Sequence, residues 1–380
     1  MNKIYADHAA TTKISETAKQ AMIACVDEYY GNPSSLHTVG QQAAEQLLKA
    51  RETVADLLGA DPKEIYFTSG GSEADNQAIL SAAYFGKKNG KNHIISTTFE
   101  HHAVLHTLKK LEKEGFEVTL LDVHENGIVT PEQVADAIRE DTALVTIMYA
   151  NNEIGTIQPI REIGAICRGK EVPFHTDAVQ AVGHIPVNVE KDNIDMLSLS
   201  GHKFRGPKGV GLLYARKGMP LVNVIEGGAQ ERGKRAGTEN LPAIVGMVAA
   251  LQEATENMEQ EAPQISAMRD QLIEGLSQIP LSRLNGDRER RLPGTVNFVF
   301  EGVEDEMLLL QLDARGIAAS SGSACTAGSL EPSHVLLALG LPTEIARGSL
   351  RLSIGAENTL EEMEYIIKSV KEVVAQLRGE

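Results

Sequence analysis

The run Ala143-Leu144-Val145-Thr146-Ile147-Met148-Tyr149 decides the fold class. A strand with one face in water alternates apolar and polar residues. This run does not alternate, so both of its faces are expected to be covered, as in a parallel sheet lying between helices. Working outward, strand and helix signals take turns. Upstream, Glu64-Ile65-Tyr66-Phe67-Thr68 is a short apolar strand, and Ser72-Glu73 opens a helical pattern through Ala78, Ile79 and Ala82. Residues 93–96 form the next strand, 103–113 a helix and 116–121 another strand. Thr130-Pro131-Glu132 starts a helix, with Thr as N-cap and Pro in the first turn. Downstream, residues 172–176, 196–200 and 210–214 complete the strand set. Alternation of this kind implies an α/β fold with a mostly parallel sheet and right-handed crossovers. Ligands of such sheets sit at the carboxyl ends of the strands.

From about residue 241 the pattern changes. Long helical stretches run to 260 and from 262 to 279, with Pro263 marking the joint. A strand (295–300), a helix (305–313), a run of small residues, a strand (349–354) and an amphipathic helix to about 377 follow. This reads as a smaller α+β domain. A length of 380 residues exceeds one compact core. The expected division is a large cofactor-binding domain over 14–256, and a small domain built from 1–13 and 257–380.

The net charge of −16 disfavours a broad nucleic-acid footprint. The local basic cluster from Arg283 to Arg291 reads as a solvated loop. No apolar run approaches the ~20 residues of a membrane span, and the first residues carry no targeting pattern. Cys25, Cys167 and Cys325 are too far apart to suggest a disulfide framework or a zinc site, which fits a reducing, cytoplasmic compartment. Cys25 shares a helical stripe with Ile14, Ala18, Ala21 and Met22, and Cys167 follows Ile163 and Ile166. Both read as core hydrophobes. Cys325 differs. It lies within residues 318–329, twelve small residues with almost no bulk to bury. The run is expected to be a mobile segment over about 318–330, either a nucleophile's carrier or a Gly/Ser linker holding an incidental thiol.

Three strand ends carry chemistry. Thr68-Ser69-Gly70-Gly71-Ser72-Glu73 joins a strand to a helix. Its glycines allow close backbone approach, and the helix N-terminus offers N–H groups to a phosphate. Neither the nucleotide P-loop nor the dinucleotide fingerprint is present. His175-Thr176-Asp177 ends a buried strand, where a carboxylate calls for a cationic partner such as a protonated ring nitrogen. Ser198-Leu199-Ser200-Gly201-His202-Lys203 ends the next strand in an amine. A Schiff-base lysine, a carboxylate for a pyridinium nitrogen and a phosphate cradle are what pyridoxal phosphate needs from a protein. His101, after the strand at 93–97, offers a flat ring for stacking and proton transfer. The neighbouring pair His101-His102 makes poor joint metal ligands, so no metal is expected. Asn152, at the end of the founding strand, is placed to reach a ligand, though an Asn there also suits a turn. Arg351, between Leu350 and Leu352, either points away from them to grip a substrate carboxylate or faces solvent.

Taken together these stretches resemble the cysteine desulfurases of the NifS/IscS type, in the fold type I group of pyridoxal-phosphate enzymes. The resemblance runs from Tyr5-Ala6-Asp7-His8 through Ser200-Gly201-His202-Lys203 and Arg235-Ala236-Gly237-Thr238 to Ser320-Ser321-Gly322-Ser323-Ala324-Cys325 and Arg351. It implies pyridoxal 5'-phosphate as cofactor and L-cysteine as substrate. It implies Lys203 as Schiff-base lysine and acid/base, Asp177 at the pyridinium nitrogen, and Gln180 at the ring hydroxyl. His101 would stack on the ring. Gly71, Ser72, Ser200 and His202 would bind the phosphate. Thr238 would reach the phosphate of the other subunit in a homodimer. Arg351 and Asn152 would hold the substrate carboxylate. Cys325 would take sulfur as a persulfide, leaving L-alanine, and pass it to an iron–sulfur scaffold or a tRNA-thiolation enzyme, with no direct nucleic-acid contact. Family members that feed a scaffold often have a longer tail than this chain, which leaves the acceptor open. Selenocysteine lyase, or another pyridoxal-phosphate lyase or aminotransferase with Cys325 incidental, is the alternative.

Overall fold

The computed structural model describes residues 3–322 and 332–380. Its strands, in chain order, are β1 (Ile4–Tyr5), β2 (Ile65–Thr68), β3 (His93–Thr97), β4 (Glu117–Leu121), β5 (Thr142–Thr146) and β6 (Phe174–Asp177). Then come β7 (Met196–Ser200), β8 (Gly211–Ala215), β9 (Ser282–Leu284), β10 (Thr295–Phe300), β11 (Ile317–Ala318) and β12 (Ser349–Ser353).

Seven strands form one sheet in the order β2-β8-β7-β6-β5-β3-β4. The pairings among β4, β3, β5, β6 and β7 are parallel, and β8 is antiparallel to both of its neighbours. Two antiparallel pairings in succession restore direction, so β2 ends on the same side as β6 and β7. All five residues of β5 are buried, as the unalternating sequence requires. Its ladder continues past Thr146: Ile147 N donates to His175 O (3.1 Å) and Tyr149 N to Asp177 O (2.8 Å). The founding run is therefore held to β6 up to Asp177.

A three-stranded antiparallel sheet, β12-β10-β9, supports a second core of Phe298, Phe300, Leu308, Leu350, Leu352 and Val370. Ile4 and Ala6 belong to this core, because β1 pairs in parallel with β11.

The expected break at Pro263 is absent. One helix of 36 residues, Leu241–Leu276, runs through the proline. Its first half, including Ala243, Met247 and Leu251, packs into the core under the large sheet, and Met268, Leu272 and Leu276 pack into the second. None of residues 252–267 between them is buried. Burial at both ends outweighs the backbone hydrogen bond that Pro263 cannot make. The boundary expected between 256 and 257 falls inside this helix. The helix Thr38–Leu58, closed by Gly59 at φ 71, was not evident in the sequence. In the basic cluster Arg283, Arg288 and Arg290 are exposed, as the solvated reading expects, and Arg291 is the exception. Arg291 is buried and donates to the carbonyls of Asp287 (2.7 Å), Asn285 (2.9 Å) and Thr295 (3.3 Å). Among the described residues no helix is long and apolar enough to cross a membrane.

Candidate active site

The strand ends converge on one cavity. Gly71, Ser72, Ser200 and His202 line one part of it, Asp177, Gln180 and His101 another, and Lys203, Asn152 and Arg351 the rest. Ten separately read residues thus meet in one place. Thr238 does not line it. It sits in an exposed loop before the long helix. Cys325 lies outside the described residues.

The turn expected to cradle a phosphate opens the helix Gly71–Lys88. Its N-cap is Gly70, which makes no side-chain capping bond, so the first N–H groups are not claimed by a cap. A Cβ at Gly71 would lie 2.5 Å from Val179 Cγ2, so only glycine lets the helix start this close to the strand end bearing Asp177. His202 donates to or accepts from Thr11 Oγ1 through Nδ1 (3.1 Å). Burial, then Lys203 and Lys208, push its pKa down to about 4, so it is a neutral hydrogen-bonder.

The ring end of the site is acidic and enclosed. Asp177 Oδ1 accepts from Val179 N (2.9 Å). Asp75, on the buried face of the same cradle helix, is 1% exposed, and its Oδ1 has no hydrogen-bond partner. Burial raises the pKa of both carboxyls, and the charge of Asp177 raises that of Asp75 further. Two enclosed carboxyls, one with an orphaned oxygen, fit a cationic ring nitrogen. His101 caps the helix His102–Lys113, with its Nδ1 accepting from Ala103 N (3.1 Å), so its neutral ring carries the proton on Nε2. Donor atoms of Asp75, His101 and Asp177 lie within 4.8 Å of one another. A cation there would leave the uncapped helix and Lys203 unexplained, whereas pyridoxal phosphate uses all of them. His102 turns away and stacks on His106 (5.1 Å) and His334 (4.7 Å) instead. The residues present fit the cofactor.

Lys203 follows β7 in a short turn, Gly201–Lys203, and its Nζ donates to the carbonyls of Ala9 (2.6 Å) and Ala10 (3.0 Å). Gln180 Nε2 also donates to Ala9 O (3.0 Å). The N-terminal segment thereby holds two site side chains. Arg351 is 1% exposed and faces the cavity, opposite Leu350 and Leu352, which lie in the second core. Its Nη2 pairs with Asp7 Oδ1 (2.8 Å) and its Nη1 donates to Asn152 O (3.1 Å), leaving Nε without a partner. Asn151, not Asn152, makes the turn: its Oδ1 accepts from Glu153 N and Ile154 N.

Sequence reading passed over Asp75, Asp7, Glu100 and Met148. Asp75 is three residues after Ser72 on the helix face that Ala78 and Ala82 mark as buried, which was the available signal. Cys25 and Cys167 are buried, as expected, and burial pushes the Cys167 thiol up to about 12.

The family described as Aminotransferase class-V matches residues 4–366. The chain is 52% identical to the cysteine desulfurase IscS of Methanosarcina thermophila over 376 residues, 99% of this chain and 93% of that one. It is 53% identical to the cysteine desulfurase IscS of Clostridium botulinum (strain Hall) over 382 residues, 100% of this chain and 96% of that one. A solved NifS-like protein superposes with a TM-score of 0.92 at 40% identity, covering 98% of this chain and all of that one. The chain belongs to the class-V aminotransferase family of fold type I pyridoxal-phosphate enzymes.

Proposed function

We propose that this protein is a cysteine desulfurase that takes sulfur from L-cysteine with pyridoxal 5'-phosphate, leaving L-alanine and a persulfide on Cys325. In the net step the substrate C–S bond breaks, an S–S bond forms at Cys325, and the thiol proton ends on the alanine methyl group. The observation that carries this is the single cavity lined by Lys203, Asp177, His101 and Arg351 beside an uncapped helix. When bound, the cofactor supplies an electron sink that makes the substrate Cα proton removable.

The chain's residues then have these tasks. The N–H groups at Gly71 and Ser72, with Ser200 and His202, hold phosphate. Asp177 keeps the ring nitrogen protonated, and Gln180 faces the ring hydroxyl. His101 covers the ring. Lys203 leaves the Ala9 and Ala10 carbonyls and moves a proton at Nζ. Arg351 and Asn152 hold the substrate carboxylate, with Asp7 fixing the guanidinium from the opposite edge.

Both flanks of the segment bearing Cys325 lead to the cavity. Ser320 pairs with Arg351 (N–O 2.6 Å), and a Cβ at Gly322 would lie 3.0 Å from Glu153 Oε2. Ser333 Oγ donates to that same oxygen. Cys325 is three residues beyond Gly322, a reach of at most about 10 Å. Thr238, exposed next to the cradle helix, would serve the phosphate site of a second subunit in a homodimer. The sulfur would pass to an iron–sulfur scaffold or a tRNA-thiolation enzyme. A thiol nucleophile suits the reducing cytoplasm.

The test is the visible spectrum of the purified protein before and after L-cysteine, with sulfide and alanine measured together. The expected result is a yellow, borohydride-sensitive chromophore that responds to cysteine. Cys325→Ser should keep that spectral response and lose sulfide release. No chromophore after reconstitution, or undiminished sulfide from the serine variant, overturns the proposal.

A further inference from the structure

A second cavity adjoins the first and shares Ala9, Gln180 and Lys203 with it. It lies in the seam between the two cores. Ala250, Ala254 and Met258 of the long helix form one apolar wall, and Leu292, Pro293 and Ile354 form the other. Nothing in the reaction above uses it.

Two polar atoms facing this seam are buried without partners. His8 is 7% exposed, and its Nε2 makes no hydrogen bond. A neutral imidazole has one acceptor nitrogen, and Nε2 is the His8 ring nitrogen that is buried without a partner. Burial, the largest influence on it, keeps the ring neutral. Arg205 Nε–H is the reverse case, a buried donor with no acceptor. Its backbone is held at φ 67 by Arg205 N donating to Thr12 Oγ1 (2.8 Å) and Ser15 N donating to Arg205 O (2.8 Å). Glu253, Glu261 and Glu357 are the acidic groups of a lining that also includes Thr12, His184, Asn257 and Ser353. Buried unsatisfied groups are rare and call for a reason, and apolar walls with a few convergent polar atoms are how small-ligand sites are built.

One ligand class answers every feature. An ammonium group donates to His8 Nε2 and to the carboxylates. A carboxylate accepts from Arg205, and a short apolar side chain lies along Ala250, Ala254 and Met258. We propose that this cavity is a second site, distinct from the cofactor cavity, that binds a free α-amino acid with a short apolar side chain. The proposal does not depend on the reaction assigned above.

The test is calorimetric titration of L-alanine into holoenzyme reduced with borohydride, which fixes the cofactor to Lys203 and closes the first cavity to amines. Failure of the cofactor assignment shows separately, as the absence of a chromophore to reduce. Saturable 1:1 binding is expected, weakened at least tenfold in Arg205→Gln and abolished in Ala254→Phe, which fills the seam. Lactate, lacking the ammonium, and ethylamine, lacking the carboxylate, should fail to compete in the unmutated protein. The site is overturned if reduced enzyme does not bind alanine, if both variants bind it normally, or if either truncated probe competes as well as alanine itself.

Discussion

Glu100 is wholly enclosed directly before His101. Its carboxyl accepts from Met148 N (3.0 and 3.1 Å) and from Thr97 Oγ1 (2.7 Å). It ties the residue before His101 to the end of the founding strand. Burial nevertheless dominates and pushes its pKa up to about 8. The native state thus holds a proton that the unfolded chain releases near pH 4.5. The associated stability is complete below that pH and is lost as pH rises through about 8. The thermal midpoint of the holoenzyme should fall between pH 5 and 9, and Glu100→Gln should flatten that fall. It should not abolish it, because burial raises Asp75 in the same direction. Differential scanning calorimetry across that range decides it, and an unchanged slope in the variant would contradict the assignment. Lys203, Asp177 and His101 were legible because each stands where a buried strand stops. Asp75, Glu100 and Asp7 were not. A lone carboxylate on a helix or loop reads as solvent-facing, and only tertiary enclosure reveals that it is not.

The loop bearing Thr238 is anchored by elements far away in sequence. Arg51, on the helix Thr38–Leu58, makes a bidentate pair with Glu231 (2.7 and 2.8 Å), and Glu231 also accepts from Phe67 N on β2 (3.0 Å). Glu231 and Arg232 have φ of 46 and 57, a conformation that only a well-anchored loop sustains. Arg235 adds a pair with Glu73 (2.9 Å) in the first turn of the cradle helix. Glu231→Ala leaves the buried Arg51 charge without its partner, which costs about 3–5 kcal/mol. The variant should melt at lower temperature and release cofactor more readily, and dialysis followed by absorbance would read the loss. Retention equal to the parent protein would separate this loop from the phosphate site. The anchoring of this loop was not legible, because nothing in its own neighbourhood of sequence discloses that Arg51 secures it.

At the scale of the molecule the sequence misplaced a helix break: one helix runs through Pro263. Pro263 reads locally as a stop, and locally that reading is sound. The burial of Met247 and Leu272 at opposite ends of the helix overrules it, and those contacts are invisible at the proline itself. Pro263 is exposed and costs the helix about 3 kcal/mol relative to alanine, by the usual helix propensities. Pro263→Ala should therefore raise the unfolding midpoint by a few degrees. A lowered midpoint would mean the proline shapes the helix in a way the cores require.

The same helix is about 54 Å long, and its middle, from Ala250 to Ile265, lines the second cavity. It acts as a strut fixed at each end and free in the middle, where its hydrogen-bond ladder is already interrupted. The width of the second cavity then depends on how stiff one rod is.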